Sequence, residues 1–304
     1  MYKIYLAMIT TIFSLVSAPV YAANPAHIEQ LLKTKKCVKC DLSGAELLGV
    51  NLSEAELLGA NLSKANLSLS ELSGANLSKA NLSLSKLSGA NLSGSKLSEA
   101  NLSEGKLSRA NLSGADLSGA DLSRAELLGA DLYKTNLSLA NLSGADLSLA
   151  NLHKAKLSLA TLSGAKLLNS LLFDADLSTA DLTKADLSVA NLSRAIISGA
   201  ILSEAILFHT YLPEADLSGA NLSNADLFNA LLFQANLSGA NLSNANLSEA
   251  HLGKANLSNA NLSNANLSSA NLLNSNLYRA KLYNANLQGA NLQGAMMPDG
   301  TIHP

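Results

Sequence analysis

From Leu42 to Leu292 every fifth residue is leucine, broken only by Ile197, with no insertion or deletion along the way. Two residues before each stands a small residue, usually alanine as at Ala45, Ala55 and Ala60, sometimes Ser70, Ser85, Gly105, Thr135 or Thr210. The unit reads Ala-(Asn/Asp)-Leu-Ser-X. A step of five advances about 140° round an α-helix, which would scatter the leucines over its whole surface, whereas unbroken β alternation would send successive leucines to opposite faces. A short extended piece satisfies the pattern: alanine and leucine two apart share one side, and the Ser-X pair turns the chain before the next piece begins. The chain must coil, with its Ala and Leu columns inward.

Such a coil is not stable alone. If four units make one turn, twenty residues lose roughly 1–2 kcal/mol each in backbone entropy, while four buried leucines return only about 1.5–3 kcal/mol apiece. Successive turns must share leucine layers and backbone hydrogen bonds, which makes the chain a one-dimensional stack whose two ends need protection. The composition agrees: tryptophan is absent and aromatics make up 4% of the 304 residues, so small and medium aliphatics fill the interior.

The formal net charge of -2 leaves no basic stripe to neutralise phosphates, which argues against a nucleic-acid partner. Residues 1–22 read as a secretory leader: Lys3, an apolar run from Ile4 to Val16, then Val20-Tyr21-Ala22 with small residues where a signal peptidase cuts. An uncleaved anchor is the alternative, but the run is shorter than the ~20 residues a span needs, so no membrane span is expected in the mature chain. The expected location is the periplasm or the exterior, or the thylakoid lumen if the source is photosynthetic. Cys37 and Cys40 are the only cysteines. In an oxidising compartment they suit a structural disulfide; a redox-active pair and a metal site are the alternatives, the latter lacking nearby ligands.

No phosphate loop, paired-histidine helix motif or nucleophile elbow occurs, and glycines such as Gly44, Gly59 and Gly74 fall at the turn position. His153, His209 and His251 have no partner at catalytic spacing and read as solvated surface, while acids such as Glu54, Glu104 and Asp174 are interspersed with Lys and Arg. Neither an enzyme nor a cofactor is expected. The recurrent Asn-Leu-Ser matches a glycosylation acceptor so often that glycans could not share coils ~4.8 Å apart, which points to a bacterial source.

The run Ala60-Asn61-Leu62-Ser63-Lys64-Ala65-Asn66-Leu67 resembles the pentapeptide-repeat family, over about residues 40–295. That resemblance implies an all-β fold, a right-handed quadrilateral β-helix with four units per coil. At the usual ~4.8 Å strand spacing it gives about thirteen coils and a rod about 60 Å long. The segment ending Cys37-Val38-Lys39-Cys40-Asp41-Leu42 is similar to the lead-in of exported members, and Met296-Met297-Pro298-Asp299-Gly300-Thr301 to a common closing turn. The expected layout is therefore a leader (1–22), a cap segment (23–39) with a short helix over His27–Lys36, a solenoid (40–297) and a tail (298–304). In this register both sulfurs point inward, Cys37 in the Leu slot and Cys40 in the Ala slot, as a clamp on the first coil.

Folded at twenty residues per coil, Tyr133, His153 and Phe173 share one outward column with Pro213 and Phe233. Leu171, Tyr211 and Leu231 lie in the Asn/Asp column of the same face, and Phe208 and Phe228 on the adjoining one, while Ile196, Ile201 and Ile206 replace Asn/Asp in successive units. Contiguous apolar surface of this kind marks a contact site. The expected function is an exported scaffold that meets a protein partner, or itself, through this patch. Two other readings follow. Some members of the resembled family act as DNA mimics that protect type II topoisomerases from quinolones, which requires a strongly negative surface. Flat Ser/Asn arrays could alternatively bind glycan or ice.

Overall fold

The computed structural model describes residues 23–304, so the leader read at 1–22 lies outside the described residues. One helix, α1 (Pro25–Thr34), precedes the solenoid. It starts two residues earlier than expected because Pro25 suits the first helical turn and Asn24 caps it, accepting from the Ala26 N–H at 3.0 Å. It ends before the expected Lys36 because Lys35 turns left-handed and returns its N–H to Leu31 O. Leu31 is fully buried and Ile28 packs partly against the core of the first coils. Cys37 and Cys40 are joined by a disulfide, both side chains buried.

From Lys36 onward each Asn/Asp-slot residue makes a parallel bridge to the residue twenty positions later: Asp41 to Asn61, Glu46 to Asn66, Asn51 to Glu71, Glu56 to Asn76, and so on up the rod. Four bridges per twenty residues define four flat faces. The extended pieces are too short to register as strands, yet every Leu-slot residue from Leu42 to Leu277 is at most 1% exposed. At the corners Ser-X is a tight turn, closed by Ala65 N–H to Leu62 O at 3.0 Å in a representative unit. The X residue has positive φ throughout, the signature of a type II turn, and even Val189 adopts it (φ 58). Cooperative stacking overrides the local preference of a β-branched side chain there.

The backbone accounting explains the consensus. Within one unit, Leu62 N–H donates to Asn81 O (2.7 Å), Lys64 N–H to Ser83 O (2.9 Å), and Asn61 N–H to Cys40 O (2.8 Å). The alanine N–H closes the turn, which leaves the Ser N–H; it donates to the side chain two residues back, Ser63 to Asn61 Oδ1 at 3.2 Å. Asn and Asp are preferred because their short side chain reaches that last donor. Asn also passes a rung to the coil below. Rungs onto Asp Oδ1 span 2.8–3.2 Å and those onto Asn Oδ1 3.1–3.3 Å, as expected when the acceptor is charged. Asp has no donor for such a rung.

The C-terminal end closes on one side only. The tail folds back with Met296 and Ile302 in an antiparallel bridge, supported by Gly294 N–H to His303 O and His303 N–H to Ala295 O. Leu282, Leu287 and Leu292, on the other three sides of the last coil, are only partly buried.

Buried hydroxyls in the Ala slot give a test of this packing. Ser70 Oγ donates to Leu67 O at 2.6 Å, whereas Ser85 Oγ, equally buried, finds no partner among the described residues. Ser85→Ala is expected to stabilise the rod by about 1 kcal/mol and Ser70→Ala to leave it unchanged or weaker, read as shifts in denaturant midpoint.

Candidate interaction surface

Four faces made of one repeating unit differ only where the unit is broken, and the breaks cluster. Among the described residues no side-chain rung joins successive coils in the Asn/Asp columns between Asn151 and Asp216. In that interval Leu171 appears, and then a single coil carries Ile196, Ile201, Ile206 and Tyr211, one on each face. These four are 43–48% exposed. They form an apolar girdle round the rod, which sequence reasoning noticed as separate substitutions but not as a ring.

On the face of Tyr211 the slot after leucine holds aromatics in register. Tyr133 and His153 have ring centroids 5.3 Å apart, and His153 and Phe173 stack at 3.7 Å and 19°. His153 is therefore not the solvated side chain expected from its outward slot: only 17% of it is exposed. Its Nδ1 lies 2.8 Å from Phe173 O, and since a carbonyl only accepts, Nδ1 carries the hydrogen. Asp174 Oδ2 is 4.0 Å from the same nitrogen, and Arg194 holds that carboxylate through Nε (2.8 Å) and Nη2 (3.1 Å). The Arg194 hydrogen bonds are the main reason the Asp174 carboxyl lies below its ordinary range. Phe208 and Phe228 stack at 5.5 Å on the adjoining face, with His209 edge-on to both.

Further along the aromatic face the surface opens into a shallow groove of about 330 Å³, bounded by Tyr211 and Leu231 on one side and Pro213, Phe233 and Leu273 on the other. Tyr211 is 48% and Phe233 44% exposed. Lys254 Nζ lies 5.6 Å above the Phe233 ring. The groove extends past the residues singled out from sequence, to His251, Gly253 and Leu273. The available signal was Gly and Leu in a slot that elsewhere holds Ser. Exposed leucines at the corners, Leu139, Leu149 and Leu159, were also missed.

This surface carries a local cost. Tyr133, His153, Phe228 and Leu273 keep the hydrogen bond from their own N–H to the Asn or Asp two residues before. Phe173, Phe208 and Phe233 follow Leu171, Ile206 and Leu231, and their N–H groups have no partner among the described residues. Pro213 follows Tyr211 and has no N–H to satisfy.

Among the described residues no cluster of three His, Cys, Asp or Glu could hold a metal ion, and no helix is long and apolar enough to cross a membrane. The fold and its surface define a β-solenoid with a filled interior, whose chemistry lies in side chains displayed at coil spacing. Eight copies of the pentapeptide repeats family model match residues 36–68 through 260–297, and the chain belongs to the pentapeptide-repeat family. Among solved structures it is similar to HetL, a pentapeptide repeat protein involved in heterocyst differentiation regulation from the cyanobacterium Nostoc sp. strain PCC 7120 (38% identity, 85% of this chain and 94% of that one, TM-score 0.34). It is also similar to QnrB1, a plasmid-mediated fluoroquinolone resistance protein (19% identity, 63% and 88%, TM-score 0.44). A third likeness is to a pentapeptide repeat protein of the Arabidopsis thaliana thylakoid lumen (37% identity, 32% and 65%, TM-score 0.19). No curated protein matches the sequence.

Two predictions follow from this geometry. Leu231→Asn returns an acceptor to the Phe233 N–H and is expected to raise stability by about 1 kcal/mol, measured by denaturant midpoint. Arg194 holds the Asp174 carboxyl below the ordinary aspartate range, so the folded pKa is depressed. The stabilising contribution is then complete above the unfolded value and lost as pH falls through the folded one. Arg194→Ala should move the Asp174 titration upward, followed by carbon NMR of the carboxyl.

Proposed function

We propose that this protein is an exported, non-enzymatic interaction scaffold, wound right-handed as its family resemblance implies. It meets a protein partner through the apolar strip formed by Tyr133, His153, Leu171, Phe173, Phe208, Tyr211, Phe228, Leu231 and Phe233. The observation that carries this reading is the contiguous exposed apolar surface on one face, where Leu171, Tyr211 and Phe233 are 43–48% exposed in columns that elsewhere hold Asn, Asp or Ser. Such surface is of use when something covers it. Export accords with the cysteine pair joined in a disulfide at the first coil and with the leader-like residues 1–22.

The charge distribution disfavours DNA mimicry. Lys and Arg alternate with acids along the corners and pair with them, as in Lys79–Glu99, Arg124–Glu104 and Lys184–Glu204, so no face builds the uniform negative field of a duplex.

The test is capture of partners by the immobilised mature protein from the compartment to which it is exported, beside a Phe173→Ser/Phe208→Ser/Phe233→Ser variant. A set of proteins retained by the first and lost from the second is expected. Identical retention by both would remove the strip from the reading, and recovery of the intact leader on a cytoplasmic protein would remove export.

A further inference from the structure

We propose that α1 is a stop on head-to-tail growth: it occupies the surface to which the last coil of a second copy would bind, and with α1 displaced the rods join end to end. The two ends of the stack carry this inference, and the apolar strip has no part in it.

Every coil presents the same two edges. The upper edge offers the N–H groups of the Leu and X residues and the carbonyl of Ala. The lower edge answers with the carbonyls of Asn and Ser and the N–H of Asn, as in Leu62 N–H to Asn81 O, Lys64 N–H to Ser83 O and Asn81 N–H to Ala60 O. On the last coil the upper edge is open on three sides. Among the described residues the N–H groups of Leu282, Asn284, Leu287, Gly289 and Leu292 and the carbonyls of Ala280, Ala285 and Ala290 have no hydrogen-bond partner. The leucines behind them are only partly buried. Two such ends cannot serve each other, because donors outnumber acceptors on both. Their complement is the lower edge of a coil, and the lower edge that no other coil covers is that of the first, at Lys36, Asp41, Glu46 and Asn51.

α1 stands on that edge and supplies the bonds a coil would supply. Asp41 O, which would take a Leu N–H, takes that of Asn24 at 3.3 Å, and the Asp41 N–H, which would go to an Ala carbonyl, goes to His27 Nδ1 at 3.1 Å. Lys36 O accepts from Gln30 Nε2 at 2.9 Å, and Ser53 O, the usual acceptor for an X-residue N–H, accepts from Lys35 Nζ at 3.1 Å. Leu31 is fully buried on the end of the core, and Leu42, Leu47 and Leu52 are at most 1% exposed. One end is thus sealed by stand-ins for the bonds that the other end still offers. Turned by one side, the two edges match unit for unit: Lys36 over Lys281, Asp41 over Asn286, Glu46 over Asn291 and Asn51 over Met296. The last of these requires the tail to lift, which releases its bonds to Gly294, Ala295 and Met297. A contact between unlike ends does not close, so each addition leaves a fresh upper edge and the product is a fibre.

Leu31→Glu undocks α1 in the otherwise complete mature protein. Light scattering and electron microscopy are expected to show fibres one rod wide, while the unaltered protein, with α1 docked, forms none at the same concentration. The unaltered protein has an open last coil and a sealed first coil, so it adds to a fibre once and ends growth there. An equimolar portion is therefore expected to shorten the mean fibre several-fold. Leu287→Lys with Leu292→Lys, added to Leu31→Glu, should abolish growth, with circular dichroism showing the rod intact. If Leu31→Glu unfolds the rod itself, His27→Ala/Gln30→Ala/Lys35→Ala loosens the cap with Leu31 in place and is read in the same way. Intact rods with α1 loosened that stay single at every concentration overturn the proposal. So do clumps that form regardless of added unaltered protein or of the lysines at the last coil.

Discussion

The structure depends on how a five-residue unit disposes of five backbone N–H groups. Three pass between coils, one closes the corner, and the fifth is taken by the side chain of Asn or Asp two residues back, as in Asn61 and Ser63. No single unit gains enough from its leucine to offset the entropy of fixing it, so the fold exists only as a stack in which each coil is both donor and acceptor to its neighbours. The consensus is in this sense a hydrogen-bonding solution as much as a hydrophobic one. Leucine and alanine decide what goes inside; Asn and Ser decide that the chain can turn without leaving a donor unmatched.

That division explains which features were legible in the sequence. The inward columns could be read directly, because Leu42 through Leu277 obey one period and the period admits one arrangement. The family resemblance supplied the four sides. The stacking of Tyr133, His153 and Phe173 followed from counting by twenty. The burial of His153 did not, because it depends on two rings above and below closing over an outward slot and on the carbonyl of Phe173 lying within reach. The helix bounds shifted by two residues because Asn24 and Lys35 cap it locally, where the repeat has no authority. The groove extended beyond the expected patch because a missing side chain, at Gly253, shapes a surface as much as a large one.

The surface and the scaffold trade against each other at identifiable positions. Where Asn or Asp gives way to Leu171, Ile206 or Leu231, the chain gains apolar area and gives up a hydrogen bond; Pro213 avoids the loss by having no donor. The girdle of Ile196, Ile201, Ile206 and Tyr211 lies within the stretch between Asn151 and Asp216 where no side-chain rung joins successive coils in the Asn/Asp columns, which separates a lower from an upper set of amide ladders. A solenoid can carry such a seam because its backbone bonds continue through it unchanged, as Ile196 N–H to Ala175 O at 2.9 Å shows.

The ladders have a direction, since the amide of Asn points toward the preceding coil and Asp has nothing to send. An Asp can serve as the foot of a ladder, but a second Asp in the next coil would set two anions side by side with no proton between them. Throughout this chain no Asp in that slot has another Asp one coil away. Glu126 and Asp146 are the one pair of acids bridged between coils in these columns, and a longer run of Asp along a flat side would break the ladder at every step. Negative charge costs the scaffold less at the corners, where side chains fan outward and no ladder has to be kept.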